Sequence, residues 1–281
     1  MVMASKGEQT SAPARWGRPA SDTAPMTWGR TDGLVFGLPS EGGMPGPRGL
    51  IRVGVWNAAA KTPDLVNFVA VEPVVAGDGS RGERMAYSEL EYSALDEPHR
   101  GKRLWTRGPA SGELTKLASG AEQLSVTVQV ERFTANDAHV WLTARMRSDR
   151  PDEVALAVHH HDDSASIAEH TLSATMGNYE RLRLLWLRDR VVDSRDLYAG
   201  YEDVHFVERD AYALADLARL DDGSFLAACS TDEEDPSSVR LESPWWSYDG
   251  GKLTQFWRVA EEHARPDLRV RVNGRRVYWA G

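Results

Sequence analysis

Leu124, Val126, Val128 and Val130 alternate with Ser125, Thr127, Gln129 and Glu131, a period of two that an extended strand converts into one buried and one wet face. Val140, Leu142, Ala144 and Met146 repeat the pattern and leave His139, Trp141, Thr143, Arg145 and Arg147 pointing outward. Short β-branched and aromatic runs separated by Gly, Pro, Asp and Asn predict further strands near 34–38, 49–56, 66–72, 87–93, 153–161, 167–176, 181–187, 213–219, 224–230, 254–260 and 268–279. The last contains Asn273-Gly274, a dipeptide suited to a tight hairpin. Asp210 to Leu220 is the most helix-like stretch, but its Ala/Leu spacing fits a strand as well. About a dozen strands, short turns and no propeller-length repeat predict an all-β chain of low helix content, folded as a two-sheet antiparallel β-sandwich.

The first thirty residues break the pattern, being rich in Ser, Ala, Pro and Gly without periodicity. The expected organisation is an irregular leader over 1–30 followed by one β-sandwich domain over 31–281. Trp16 and Trp28 are unusual in such a leader, and predict that it lies across the sandwich and anchors through them. A length of 281 residues is within the range in which all-β folds remain one domain. With 41% hydrophobic and 27% charged residues, the chain carries enough apolar surface to offset its ordering entropy.

A net charge of -9 and the lack of a long Lys/Arg run argue against nucleic acid as a partner, because an acidic surface repels a polyanion. A few arginines inside a groove would still allow an anionic sugar polymer. Cys229 is the single cysteine, so no intrachain disulfide is expected, and its apolar neighbours predict a small buried strand residue. No apolar run approaches the roughly 18 residues of a membrane helix, so the expectation is a soluble chain without a membrane partner. Secretion after removal of a leader stays open.

The densest polar cluster is His159-His160-His161-Asp162-Asp163, followed by His170. Alternation assigns His159 and His161 to one face and His160 to the core side. His159, His161 and His170 are then candidates to hold one divalent metal ion. In competition with that role, His159 or His161 would serve as a base beside the acidic turn. The structural alternative is a polar strand end whose histidines are hydrogen-bonded to that turn.

Tyr179, Arg181 and Arg183 share a face in the run from Met176 to Arg183. A phenol beside two permanent cations suits proton abstraction next to a neutralised carboxylate. Glu89 and Glu91, roughly 7 Å apart on one strand face, are a second acid pair near the separations used in glycoside hydrolysis. Ten tryptophans make an aromatic sugar-binding surface conceivable. Trp141, Trp245, Trp246, Gln255, Trp257 and Arg258 are its candidates, against the alternative of an aromatic core. The loop Gly42 to Gly49 lacks the Lys-Ser/Thr ending of a phosphate-binding loop and reads as a structural turn.

The many strands, with Gln255-Phe256-Trp257-Arg258 late in the chain, resemble jelly-roll polysaccharide lyases and related carbohydrate-active β-sandwich proteins. Thr254 to Arg258 departs from the Tyr-Phe-Lys pattern of alginate lyases, so no family residue is carried over. The resemblance implies a carbohydrate polymer or oligosaccharide as partner. It also implies cleavage of a polysaccharide, including uronate-containing ones, by β-elimination, with His159, His161 or Tyr179 as base and Arg181 neutralising the carboxylate. Hydrolysis through Glu89 and Glu91, or binding without catalysis, are the alternatives.

Overall fold

The computed structural model describes residues 16–21, 24–38, 51–77, 112–176, 182–197, 211–232 and 253–272. Its contacts divide the chain into two compact units, Met1–Leu65 with Ala70–Leu172 and Val66–Val69 with Ser173–Gly281. The fold is all-β, with strands paired antiparallel and only short helical turns among the described residues.

The first unit is sandwich-like. One sheet contains β1 (Trp16–Gly17), β2 (Thr27–Arg30), β3 (Leu34–Gly37), β4 (Ile51–Asn57), β5 (Thr62–Val75) and, at its far edge, a later strand. The other sheet is formed in order by β6 (Glu113–Lys116), β7 (Glu122–Gln129), β8 (Val140–Arg147) and β9 (Arg150–His160). The later edge strand of the first sheet is β10 (Ile167–Thr175), whose last residues from Ser173 on, like Val66–Val69 of β5, belong to the second unit.

The alternation read from the sequence is present as burial. Leu124, Val126, Val128, Val140, Leu142, Ala144 and Met146 are all buried on facing positions of β7 and β8. Trp28, Phe36, Val71 and Phe133 of the same unit are buried as well. The β6–β7 hairpin turns through Gly120, whose φ of 87° lies in the left-handed region. Nothing crowds that position, so backbone conformation alone calls for glycine. Trp16 and Trp28 lie on strands: Trp16 Nε1 donates to Glu122 Oε2 at 2.9 Å, and Trp28 is buried beside Phe36.

The second unit contains β11 (Leu184–Trp186), β12 (Val191–Asp193), β13 (Tyr212–Ala213), β14 (Ala218–Arg219), β15 (Phe225–Ser230), β16 (Thr254–Val259) and β17 (Arg269–Val270). Five of these form one sheet around β15, which pairs with β11, β14 and β16; β12 pairs with β11, and β13 with β17. Its core is Met176, Leu182, Leu185, Leu187, Leu217, Ala227, Cys229 and Val272. Cys229 is buried there as a small strand residue.

In the helix-like stretch Asp210 to Leu220, the described residues from 211 on form β13, one 3-10 turn over Leu214–Asp216, and β14. Asp216 explains the break: its carboxylate accepts the Ala213 backbone N–H at 2.9 Å and pairs with Arg190 at 3.1 Å, fixing a turn where a helix would continue. The expected strand near 87–93 and the Asn273-Gly274 hairpin lie outside the described residues.

Candidate functional site

The histidine segment closes β9 beside β8, where register decides which imidazoles meet. His159 lies opposite Trp141, and His160 opposite Val140. His161 continues the ladder by donating its backbone N–H to the His139 carbonyl. Side chains directly opposite one another share a face, which yields two stacked pairs: Trp141 on His159 and His139 on His161, each with ring centroids 4.0 Å apart.

Hydrogen bonds orient this cluster. His161 Nε2 donates to Gln129 Oε1 at 3.1 Å, and His139 Nδ1 donates to Asp163 Oδ1 at 2.7 Å. The other Asp163 oxygen takes Arg132 at 2.6 Å, and Arg132 also reaches Asp137 at 3.0 Å. The bond from His139, followed by the charge of Arg132, holds the Asp163 carboxyl below the usual carboxylate range. The same contacts tie the loop after β7 to the loop after β9, and Ser164 Oγ accepts the His139 N–H at 2.9 Å. His159 Nε2 is buried without a hydrogen-bond partner.

The proposed trio His159, His161 and His170 is not brought together. His170, on β10, approaches His160 instead, with centroids 6.4 Å apart, because His160 projects from the opposite side of β9 to its two neighbours. Desolvation, then the charges of His160 and His159, push the His170 imidazole below its ordinary pKa. Among the described residues, no group of three or more His, Cys, Asp or Glu is arranged to hold a metal ion.

In the second unit, three of the four described substrate-binding candidates, Arg183, Gln255 and Trp257, serve the interior. Gln255 and Trp257 lie opposite Cys229 and Ala227, both buried, so the shared face of β16 is its core face. Gln255 accepts a hydrogen bond from Asn67 at 3.3 Å, and Trp257 packs on the apolar cluster. Arg183 is buried and pairs with the equally buried Asp232 at 3.6 Å, which also takes Arg195 at 2.6 Å. Among the described candidates of this unit, Arg258 alone faces outward, and Asp222 engages it at 2.6 Å. Tyr179, Arg181, Trp245, Trp246, Glu89 and Glu91 lie outside the described residues.

The outward face carries what the sequence reading missed. Val191, Trp186, Ala228 and Phe256 follow one another across β12, β11, β15 and β16 in a single cross-strand row. Trp186 is 47% exposed, Val191 44% and Phe256 63%. Among the described residues, half of the six exposed large hydrophobics therefore stand in this row. Isolated exposed apolar residues are ordinary, whereas neighbouring ones on adjacent strands make a candidate contact surface. Trp186 Nε1 donates to Ser230 Oγ at 2.8 Å, which fixes the indole over the sheet.

No protein family matches this chain, and no curated protein or solved structure is significantly similar to it.

The two faces have different chemical capacities. His139, with Nδ1 donating to Asp163, offers the Nε2 lone pair as a base or as an acceptor. The Trp186–Phe256 row offers flat apolar rings beside the hydroxyls of Ser230 and Thr254, which occupy the adjacent outward row. Among the described residues, no helix is long and apolar enough to cross a membrane.

Proposed function

We propose that this protein binds a carbohydrate polymer or oligosaccharide through the outer face of the β12–β11–β15–β16 sheet. The observation that carries the reading is the exposed row Trp186–Ala228–Phe256, in which two aromatic side chains flank a residue too small to separate them. A pyranose ring has an apolar C–H face and a polar rim, and an aromatic ring bordered by hydroxyls matches both. Gln255 and Trp257 support that face from behind by packing inward, while Phe256 between them points out.

The test is binding of the purified chain to a panel of soluble and insoluble polysaccharides, by affinity electrophoresis and pull-down. Trp186→Ala and Phe256→Ala are expected to lose retention while keeping the wild-type circular dichroism spectrum. Full retention by both variants would reject the reading.

A second, enzymatic reading is favoured by the Arg132–Asp163–His139 chain. In β-elimination an imidazole nitrogen takes the C5 proton of a uronate, the electron pair forms the C4=C5 bond, the C4–O glycosidic bond breaks, and the departing oxygen takes a proton from solvent water. Here His139, oriented by Asp163, is better prepared as the base than His161, which is bound to Gln129. Ultraviolet absorbance from an unsaturated product, absent in His139→Gln, is the expected result. Reducing ends appearing without that absorbance would point to hydrolysis instead.

A further inference from the structure

We infer that the chain bound by the Trp186–Phe256 face is an uncharged, extended, β-linked hexopyranose polymer lying across the strands, and not a uronate. This inference rests on the carbohydrate-binding reading and narrows its ligand.

The first argument is spacing. Trp186 and Phe256 lie on strands separated by β15, so their backbones stand two strand spacings apart, ~9.5 Å. A β-linked hexopyranose chain with equatorial linkages extends as a flat ribbon with apolar faces all along its length, so it can meet both rings, the Phe256 ring and the indole that its bond to Ser230 draws toward β15. Ala228 between them raises no obstacle to such a ribbon. A helical α-linked chain would turn away from one ring after meeting the other.

The second argument is charge. Among the described residues, the ionic groups that β12 and β16 place on this face, Asp193 and Arg258, are already neutralised by neighbours: Asp193 takes Arg195 at 2.9 Å, and Arg258 reaches Asp222 at 2.6 Å. Ser224 also holds Asp222 in place through its N–H at 3.0 Å. A uronate would have to draw Arg258 away from Asp222, and would approach a chain of net charge -9. A neutral sugar meets neither cost. Its hydroxyls have Ser230 and Thr254 within the neighbouring row.

The experiment is isothermal titration of the full chain with four hexasaccharides: β-1,4-linked glucose, β-1,4-linked mannose, α-1,4-linked glucose, and an alginate-derived uronate, each at low and high salt. Binding of at least one neutral β-linked oligomer is expected, with affinity unchanged by salt and reduced roughly tenfold or more in Phe256→Ala and Trp186→Ala. Phe256→Ala keeps the test valid should the indole variant fold poorly. Binding confined to the uronate or to the α-linked oligomer, and lost in the same variants, would overturn this inference and leave carbohydrate binding standing. Absence of binding to all four and to the polysaccharide panel would overturn both. So would self-association in sedimentation that Phe256→Ala abolishes, because the face would then serve a second copy of the chain.

Discussion

Gln255 and Phe256 are adjacent in sequence, and the fold assigns them opposite duties, so their substitutions should give opposite phenotypes. Gln255→Ala removes the acceptor for the Asn67 amide on the core face of β16, where Gln255 is buried opposite Cys229. A buried polar group left unsatisfied costs ~1–3 kcal/mol, which lowers the melting temperature by several degrees. Phe256 is 63% exposed, so Phe256→Ala forfeits about a third of what full burial gives, ~0.5–1 kcal/mol. Saccharide affinity should respond in the reverse order, falling roughly tenfold for Phe256→Ala and little for Gln255→Ala. Chemical denaturation and titration calorimetry on the two variants read both quantities. A Gln255→Ala protein of wild-type stability that no longer binds, alongside a Phe256→Ala protein that still does, would mean that β16 runs in the other phase. The platform would then have no basis.

Three further substitutions probe the two units. Gly54→Ala would drive a Cβ into the Asp64 carbonyl and to 2.7 Å from the Leu65 Cα; because backbone cannot yield as a side chain can, a loss of at least ~1–3 kcal/mol is expected, and an unchanged denaturation midpoint would refute the β4–β5 approach. Arg183→Met leaves Asp232 with Arg195 alone, so a loss near the lower end of ~3–5 kcal/mol should appear in denaturant unfolding, with saccharide binding by the folded fraction retained. His170 binds protons less readily folded than unfolded, so the unfolded chain takes up more protons below about pH 6.5 and stability falls as pH drops through that value towards the lower folded pKa. His170→Gln should flatten that part of the melting temperature–pH curve; an identical slope in both proteins would count against the burial of His170.

The strands β7 and β8 were legible in the sequence because Leu124 to Val130 and Val140 to Met146 alternate cleanly, and alternation is a property of the extended backbone itself. The same regularity made the all-β class and the low helix content readable. In β16 alternation was visible but its phase was not: Gln255 and Trp257 share one side, Phe256 and Arg258 the other, and either mixed set could have faced a core. Pairing with β15 chose, by setting Gln255 and Trp257 opposite Cys229 and Ala227 on the buried side.

The histidine segment teaches the same lesson at longer range. Local geometry separated His160 from His159 and His161, but it could not say that His139 would stack on His161, or that Asp163 would reach back 24 positions to His139. Those meetings depend on how two loops close over one sheet edge. The Trp186–Phe256 row arises likewise from residues 70 positions apart, brought level by the registers of β11 and β16 on a shared neighbour. Periodicity along the chain therefore determined which residues form strands. Register between distant strands, set by burying the largest apolar faces together, decided which side chains meet and which remain exposed to meet a ligand.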